Sequence, residues 1–297
     1  MMKRLGLLGL LGLSVLLSGC IPGASRLIST PTFRIVDAAL VQLNPPGIGD
    51  GAATFRLNLE VTNPNAFGLT LAGLEGNFFI NDRQAAATQF RGGVSIAAQG
   101  TSPLTLDVRV PLVSGLALLG DLAGLIAGSP TRYRVDGVLT IDVLGTQQRL
   151  PSVTLVSGTL TQPVSLAAPT IRFNQQASGL RELTPLRATF EIVLDISNPL
   201  IVGYQFEAPS LSLSAGGAAL AGTSVISQAV PARGDAQVAL RFQVNTAAVG
   251  FALLNQIQAL AQGGSLNVTV DGAFTLELPG ITSQRFSAQQ LASGLLR

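Results

Sequence analysis

The stretch TFRLNLEVTNPNAFGL (54–69) begins in strict alternation and stops at Asn63-Pro64. Phe55, Leu57, Leu59 and Val61 fall on one face, with Arg56, Asn58, Glu60 and Thr62 on the other. That is the period of a half-buried strand. Proline offers no amide hydrogen to a neighbouring strand and forces the preceding residue into extended geometry, so pairing ends there. The Asn before it can bond backbone groups left open at the strand end. TFEIVLDISNP (189–199) does the same again. Asn63, Pro64, Asn198 and Pro199 are therefore read as a structural strand-end motif, with a ligand role for the two Asn as the alternative.

The recurrence belongs to a longer repeat. Thr54-Phe55 matches Thr189-Phe190, Asn63-Pro64 matches Asn198-Pro199, and Val135-Asp136-Gly137 matches Val270-Asp271-Gly272, all 135 residues apart. LTLDVRV (104–110) matches VALRFQV (238–244) at 134, and Ser157-Gly158 matches Ser293-Gly294 at 136. Constant order with so little drift means a duplicated domain, and the period is far too long for a solenoid.

Each copy follows one plan. An extended segment opens it (PTFRIVDAALVQL; PTIRFNQQASGL), and the Asn-Pro strand and short Gly-broken strands follow. A period-two strand, one helix and a closing hairpin complete it. Val249, Leu253, Ile257 and Leu260 set the helix of copy two, with Thr246 as its expected N-cap and Gly263-Gly264 as its stop. In copy one the helix is expected over 112–127, apolar nearly all round with Asp121 as its only charge. Two readings of that surplus stay open: burial between a sheet and the other copy, or an exposed patch for lipid or a partly unfolded protein. Gln256, Gln258 and Gln262 read as a solvated face. Seven or so short strands per copy, with Gly- and Pro-rich turns, predict a mostly β chain of two tandem antiparallel β-sandwiches (fibronectin III/immunoglobulin-like), each with one α-helix.

The N-terminus sets the compartment. Lys3 and Arg4 precede an apolar run over 5–17, and Leu17-Ser18-Gly19-Cys20 follows, the order of a secretory signal. The run falls short of the roughly 20 residues of a membrane span. Cleavage before Cys20 resembles the bacterial lipobox and makes Cys20 the lipid attachment site. The expected divisions are a signal peptide over 1–19, a tether over 20–30, a first sandwich over 31–160, a linker over 161–168 and a second sandwich over 169–297. Losing Lys3 and Arg4 lowers the 18 basic residues to 16, equal to the 16 acidic ones. A near-neutral chain offers no basic surface for nucleic acid.

Chemistry is sparse. There is no His, which removes the commonest general base, His-based triads and most metal sites. Lys3 is the only Lys and leaves with the signal, and Cys20 is committed to lipid, so Schiff-base and thiol catalysis go too. No GxGxxG, GxxxxGK[ST] or EF-hand loop occurs. Carboxylates remain, and Asp136 and Asp271 sit in the repeated Val-Asp-Gly, read as a turn or bulge device. Asn267-Val268-Thr269 fits a glycosylation sequon, a short match that arises by chance. No catalytic residue, metal site or cofactor is expected; the chain reads as not an enzyme.

VTNPNAFGLTLAGLEGNFFINDRQAAA (61–87), Gly100 before LTLDVRVPL, the helix, and the Val-Asp-Gly strand with terminal Ser-Gly-Thr-Leu together resemble the WHy domain (water stress and hypersensitive response) of type 2 late embryogenesis abundant (LEA) proteins. Copy two follows more loosely, with Leu200 in place of the second Asn. The resemblance implies a folded β-sandwich with one helix, a link to tolerance of drying and cold, and no assigned catalytic residues. The expected function is a non-catalytic, membrane-anchored stress-protective binding protein that shields client proteins or membrane, held in the bacterial cell envelope and facing periplasm or exterior. The alternative is an envelope structural or assembly lipoprotein that docks a protein or lipid partner. A carboxylate hydrolase is the third reading.

Overall fold

The computed structural model describes residues 28–112 and 116–297. The expected signal segment, Cys20 and the expected tether up to residue 27 lie outside the described residues, as do residues 113–115 of the first expected helix. Copy one contains β1 (Thr32–Leu43), β2 (Ala52–Thr62), β3 (Leu69–Ile80), β4 (Arg83–Ile96), β5 (Thr101–Pro111), α1 (Leu116–Ile126), β6 (Thr131–Val143), β7 (Thr146–Arg149) and β8 (Val153–Leu160). Copy two contains β9 (Thr170–Phe173), β10 (Gly179–Leu183), β11 (Arg187–Ser197), β12 (Tyr204–Ala215), β13 (Ala218–Val230), β14 (Asp235–Asn245), α2 (Phe251–Ala261), β15 (Leu266–Leu278) and β16 (Thr282–Leu296).

Every sheet takes its strands from one copy. In copy one a sheet of order β1-β2-β5 faces one of order β4-β3-β6-β7, with β8 also on β6. In copy two β10-β11-β14, with β9 also on β11, faces β13-β12-β15-β16. All strand pairs are antiparallel. The chain is therefore two tandem β-sandwiches, each with one helix. The inward positions are those the alternation marks: Phe55, Leu57, Leu59 and Val61 on β2 meet Leu104, Leu106, Val108 and Val110 on β5, all buried. Phe55 reaches across to Phe78 of the facing sheet, ring centroids 5.2 Å apart. In copy two Phe206, Phe274 and Phe286 stack in series, at 5.0 and 4.6 Å.

Two segments depart from the common plan. β1 is one strand, whereas the opening segment of copy two splits into β9 and β10. Asn174 causes the split: its side chain accepts from the Ala177 amide and donates to Asp195, turning the chain off the sheet. The closing hairpin of copy one breaks at Pro151 into β7 and β8, because proline cannot donate to the ladder. Copy two has no proline there, and β16 runs unbroken for 15 residues. The segment between the copies is fastened to copy one, for Gln162 exchanges two hydrogen bonds with the Leu40 backbone and Val164 donates to Ile126.

The helices correct two expectations. α2 begins at Phe251 with Gly250 as N-cap, not Thr246. Thr246 is buried and its hydroxyl donates to the Pro185 carbonyl, so it ties the strand exit to the neighbouring turn instead. The stop falls at the expected glycines: Gly263 takes φ +89°, and the Gly263 and Gly264 amides close on Leu260 and Ala259 in a Schellman motif. Gln256, Gln258 and Gln262 are exposed. α1 spans a shorter range than expected. Leu119, Leu122, Leu125 and Ile126 are buried, and the outward positions Ala117 and Gly120 carry little apolar bulk. Leu119 lies against the Gly280 turn of copy two, so the surplus hydrophobicity is spent between sheet and neighbouring copy.

Val-Asp-Gly lies mid-strand, on β6 and β15, and not at a turn. Opposite it a bulge interrupts the partner: Leu155 is the extra residue on β8 and Leu291 on β16, and both are buried. The glycine lets the central strands close up. A Cβ on Gly137 would stand 2.8 Å from the Glu75 carbonyl oxygen, and one on Gly272 2.9 Å from that of Ser210. Gly137→Ala and Gly272→Ala should each destabilise the protein by about 1–3 kcal/mol, through strand displacement of the overpacking kind. Guanidinium denaturation followed by circular dichroism reads this as a lowered midpoint.

Candidate functional site

The two Asn-Pro pairs build the same structure twice. Asn63 is fully buried. Its Nδ2 donates to the carbonyls of Phe67 (2.7 Å) and Ala97 (3.0 Å), and its Oδ1 accepts from the Asn65 amide (2.9 Å). Asn198 is buried as well: Nδ2 donates to Val202 (2.8 Å) and Pro231 (2.9 Å), and Oδ1 accepts from Leu200 (2.9 Å). The backbone repeats the pattern, with Asn63 donating to Gly100 and Asn198 to Gly234. Gln99 and Arg233 cross the same turn at φ +52° and +51°. One side chain thus satisfies the backbone of two loops and joins them into a rigid end of the sandwich, with Pro64 and Pro199 exposed beside it.

The loop that follows each Asn receives another segment. In copy one, Asn65 does so: its Oδ1 accepts from the Ser29 amide (2.8 Å) and its Nδ2 donates to the Ser29 carbonyl (2.9 Å). In copy two, the loop receives copy one itself. Leu43 donates to the Ile201 carbonyl and accepts from the Gly203 amide, both at 2.7 Å, as an isolated parallel bridge to Val202. Gly203 makes the approach feasible, since a Cβ there would lie 2.6 Å from Asn44 Oδ1 and 2.9 Å from Ile48.

Asn44 is the polar centre of this junction and is buried. Its Oδ1 accepts from the Ala232 amide across the copies (2.8 Å), and its Nδ2 donates to Asp50 (2.8 Å), which also accepts from Arg109. Partial burial pushes the Asp50 carboxyl up, but the hydrogen bonds from Asn44 and Arg109 and the Arg109 charge outweigh it and hold the group below its ordinary value of 3.8.

The carboxylates of Val-Asp-Gly are not brought together, since they belong to different sandwiches. Asp136 is held by Arg134 (2.9 Å) and Thr154 (2.7 Å). Among the described residues no three His, Cys, Asp or Glu side chains group to hold a metal ion. No helix among them is long and apolar enough to cross a membrane. Cys20 lies outside them.

The family is decided by the sequence model for late embryogenesis abundant protein, LEA_2, which matches residues 58–155 and 193–290, the second match beginning 135 residues after the first. The chain belongs to the LEA type 2 family. Each matched region carries one Asn-Pro bracket or its partner strand, and the family points to a stress-related, non-enzymatic role. A putative LEA protein solved in solution is 19% identical, covering 48% of this chain and 76% of its own, with TM-score 0.34. A crystal structure of an Archaeoglobus fulgidus protein is 13% identical over 46% of this chain and 99% of its own, TM-score 0.28. Red sea bream transglutaminase is 12% identical over 92% of this chain and 32% of its own, TM-score 0.26. No curated protein matches the sequence.

Asn44 and Gly203 were not singled out in the sequence, and Asn65 only as the second Asn that copy two lacks. Gly203 had a signal there, for Gly68 stands five residues after Asn63 as Gly203 stands five after Asn198. Asn44 had none, since copy two lacks the matching turn.

Replacing Asn63 or Asn198 by Ala takes the donor from one loop carbonyl (Phe67 or Val202) and the acceptor from one amide (Asn65 or Leu200), and should cost about 2–4 kcal/mol; Asp should fare no better, as it lacks both donors. Chemical denaturation of the two variants at each position measures this. For Asp50, a folded value below the unfolded one gives stability that is complete above 3.8 and is lost as pH falls through the folded value. X-ray scattering should therefore show the two copies separating in acid, and Asp50→Asn should blunt that acid dependence.

Proposed function

We propose that this LEA type 2 protein is a non-catalytic, membrane-anchored stress-protective binding protein that shields client proteins or membrane surface during drying, freezing or related stress. The observation that carries the reading is the family match over both copies, joined to a sequence without His and, past the signal segment, without Lys. Two rigid sandwiches with hydrogen-bonded ends retain their own fold as water activity falls, and so remain competent to cover a less robust surface. Anchoring is read from the apolar run over 5–17 and Leu17-Ser18-Gly19-Cys20. Acyl chains contribute ~0.8 kcal/mol per buried CH₂, and two or more on Cys20 make attachment stable. The envelope, facing periplasm or exterior, is the proposed location.

A second reading, an envelope assembly lipoprotein that docks a partner, is favoured by one observation: Leu186 and Phe251, both exposed, lie at the open end of copy two. The readings part in one experiment. Purified protein is added to a freeze-labile enzyme through repeated freezing and drying, and the Cys20→Ala chain is fractionated alongside. Retained enzyme activity at near-stoichiometric ratios, with Cys20→Ala released from membranes, is the expected result. No protection refutes the stress-protective role, and unchanged membrane retention refutes the anchor.

A further inference from the structure

The junction inside the chain has two sides, and each has a repeat counterpart at an outer end of the molecule. The donor side is the β1–β2 turn and α1 of copy one. There Leu43 is 0% and Ile48 1% exposed, and Pro45 and Leu119 are buried. The receiving side is the bracketed end of copy two, where Val202, Gly203 and Ala232 are buried. Strand register identifies the counterparts: Leu43 stands opposite Ala53, and Leu183 opposite Ala188, 135 residues on. α1 and α2 are likewise 135 residues apart and of equal length.

At the outer ends the same positions are uncovered. In the donor-type end of copy two Leu183 is half-buried, Pro185 is exposed, Leu186 is 73% and Phe251 87% exposed, and Leu254, the counterpart of Leu119, is half-buried. In the receiver-type end of copy one Gly68 and Ala98 are exposed, Phe67 is half-buried, and Leu144, in the turn matching Gly280, is 94% exposed. Among the described residues the Ala66 carbonyl and the Gly68 amide, counterparts of the two groups that Leu43 bonds, have no backbone partner. Ser29 reaches this end and bonds Asn65; among the described residues neither of those two groups is bonded from this segment.

We infer that the open end of copy two seats on the bracketed end of copy one of a second chain, so that chains associate head to tail through a copy of their own internal junction. Donor and receiver are different surfaces, so the contact is heterologous and adds further chains without closing on itself as a two-fold dimer does. The occupant is a second copy of this chain because both halves of the required interface are present on it and the fitted form is visible within it. The turn of copy two has four residues where that of copy one has nine, and lacks counterparts to Asn44 and Asp50. The contact between chains is accordingly weaker than the internal one and is populated where chains are concentrated.

Cysteine pairs at the bridge position test this in intact membranes. Leu43→Cys with Val202→Cys links within a chain and serves as the geometric control. Leu183→Cys on one chain and Phe67→Cys on another, produced together and oxidised, should give a cross-linked dimer; both changes on one chain should give a ladder. Gly68→Glu fits the fold, since a Cβ there meets only the Ile96 carbonyl at 3.7 Å, yet it blocks the receiving loop. Gly68→Glu or Phe251→Asp should reduce the ladder at least about tenfold, the effect of roughly 1.4 kcal/mol. Absence of any product between chains while the control forms overturns the proposal. So does a dimer from Leu183→Cys alone, which would place two open ends face to face.

Discussion

A buried amide side chain that satisfies the backbone of two loops is the constraint on which the molecule rests. A β-sandwich closes its core easily by alternation, but its ends are turns, where carbonyls and amides face each other without a ladder. Asn63 and Asn198 resolve this in the same manner, each with two donors and one acceptor committed. Asp lacks the donors, and Gln would displace the same groups by one methylene. Because the loops so joined are rigid, they present fixed backbone groups to whatever comes next. In copy one that is Ser29; in copy two it is Leu43 of the other sandwich.

The fold was legible because its rules are local. Alternation in TFRLNLEVT and LTLDVRV places the inward residues correctly, and Asn-Pro marks where β2 and β11 end. The 135-residue offset gave the duplication and reappears in the family match. Positions governed by tertiary context were missed. Thr246 has the right residue type for an N-cap, but its hydroxyl is drawn to Pro185 from a turn 61 residues away in sequence. Of the two readings of Val-Asp-Gly, turn or bulge, the bulge holds, on the partner strand; what the sequence does not show is that the glycine removes a Cβ between two central strands. The excess apolar character of α1 was visible, though what covers it, the Gly280 turn, was not.

The candidate site was less legible than the fold. One copy offers Asn65 where the other offers Leu200, and one turn is longer than its counterpart, so sequence comparison scores these positions as decay of the repeat. In the folded chain they are where the copies take up different neighbours. Divergence within a duplicated pair is informative for this reason: the residues that ceased to match are those whose surroundings ceased to match.

The linker bears on how so small a junction holds. Gln162 and Val164 moor the linker on copy one close to where copy two begins, so the two ends meet at a high effective concentration. A handful of hydrogen bonds and a few apolar side chains then suffice to keep the halves aligned, although the same set would bind poorly between free molecules. Cutting the chain at Ser165 would leave every contact in place and still let the halves drift apart on dilution.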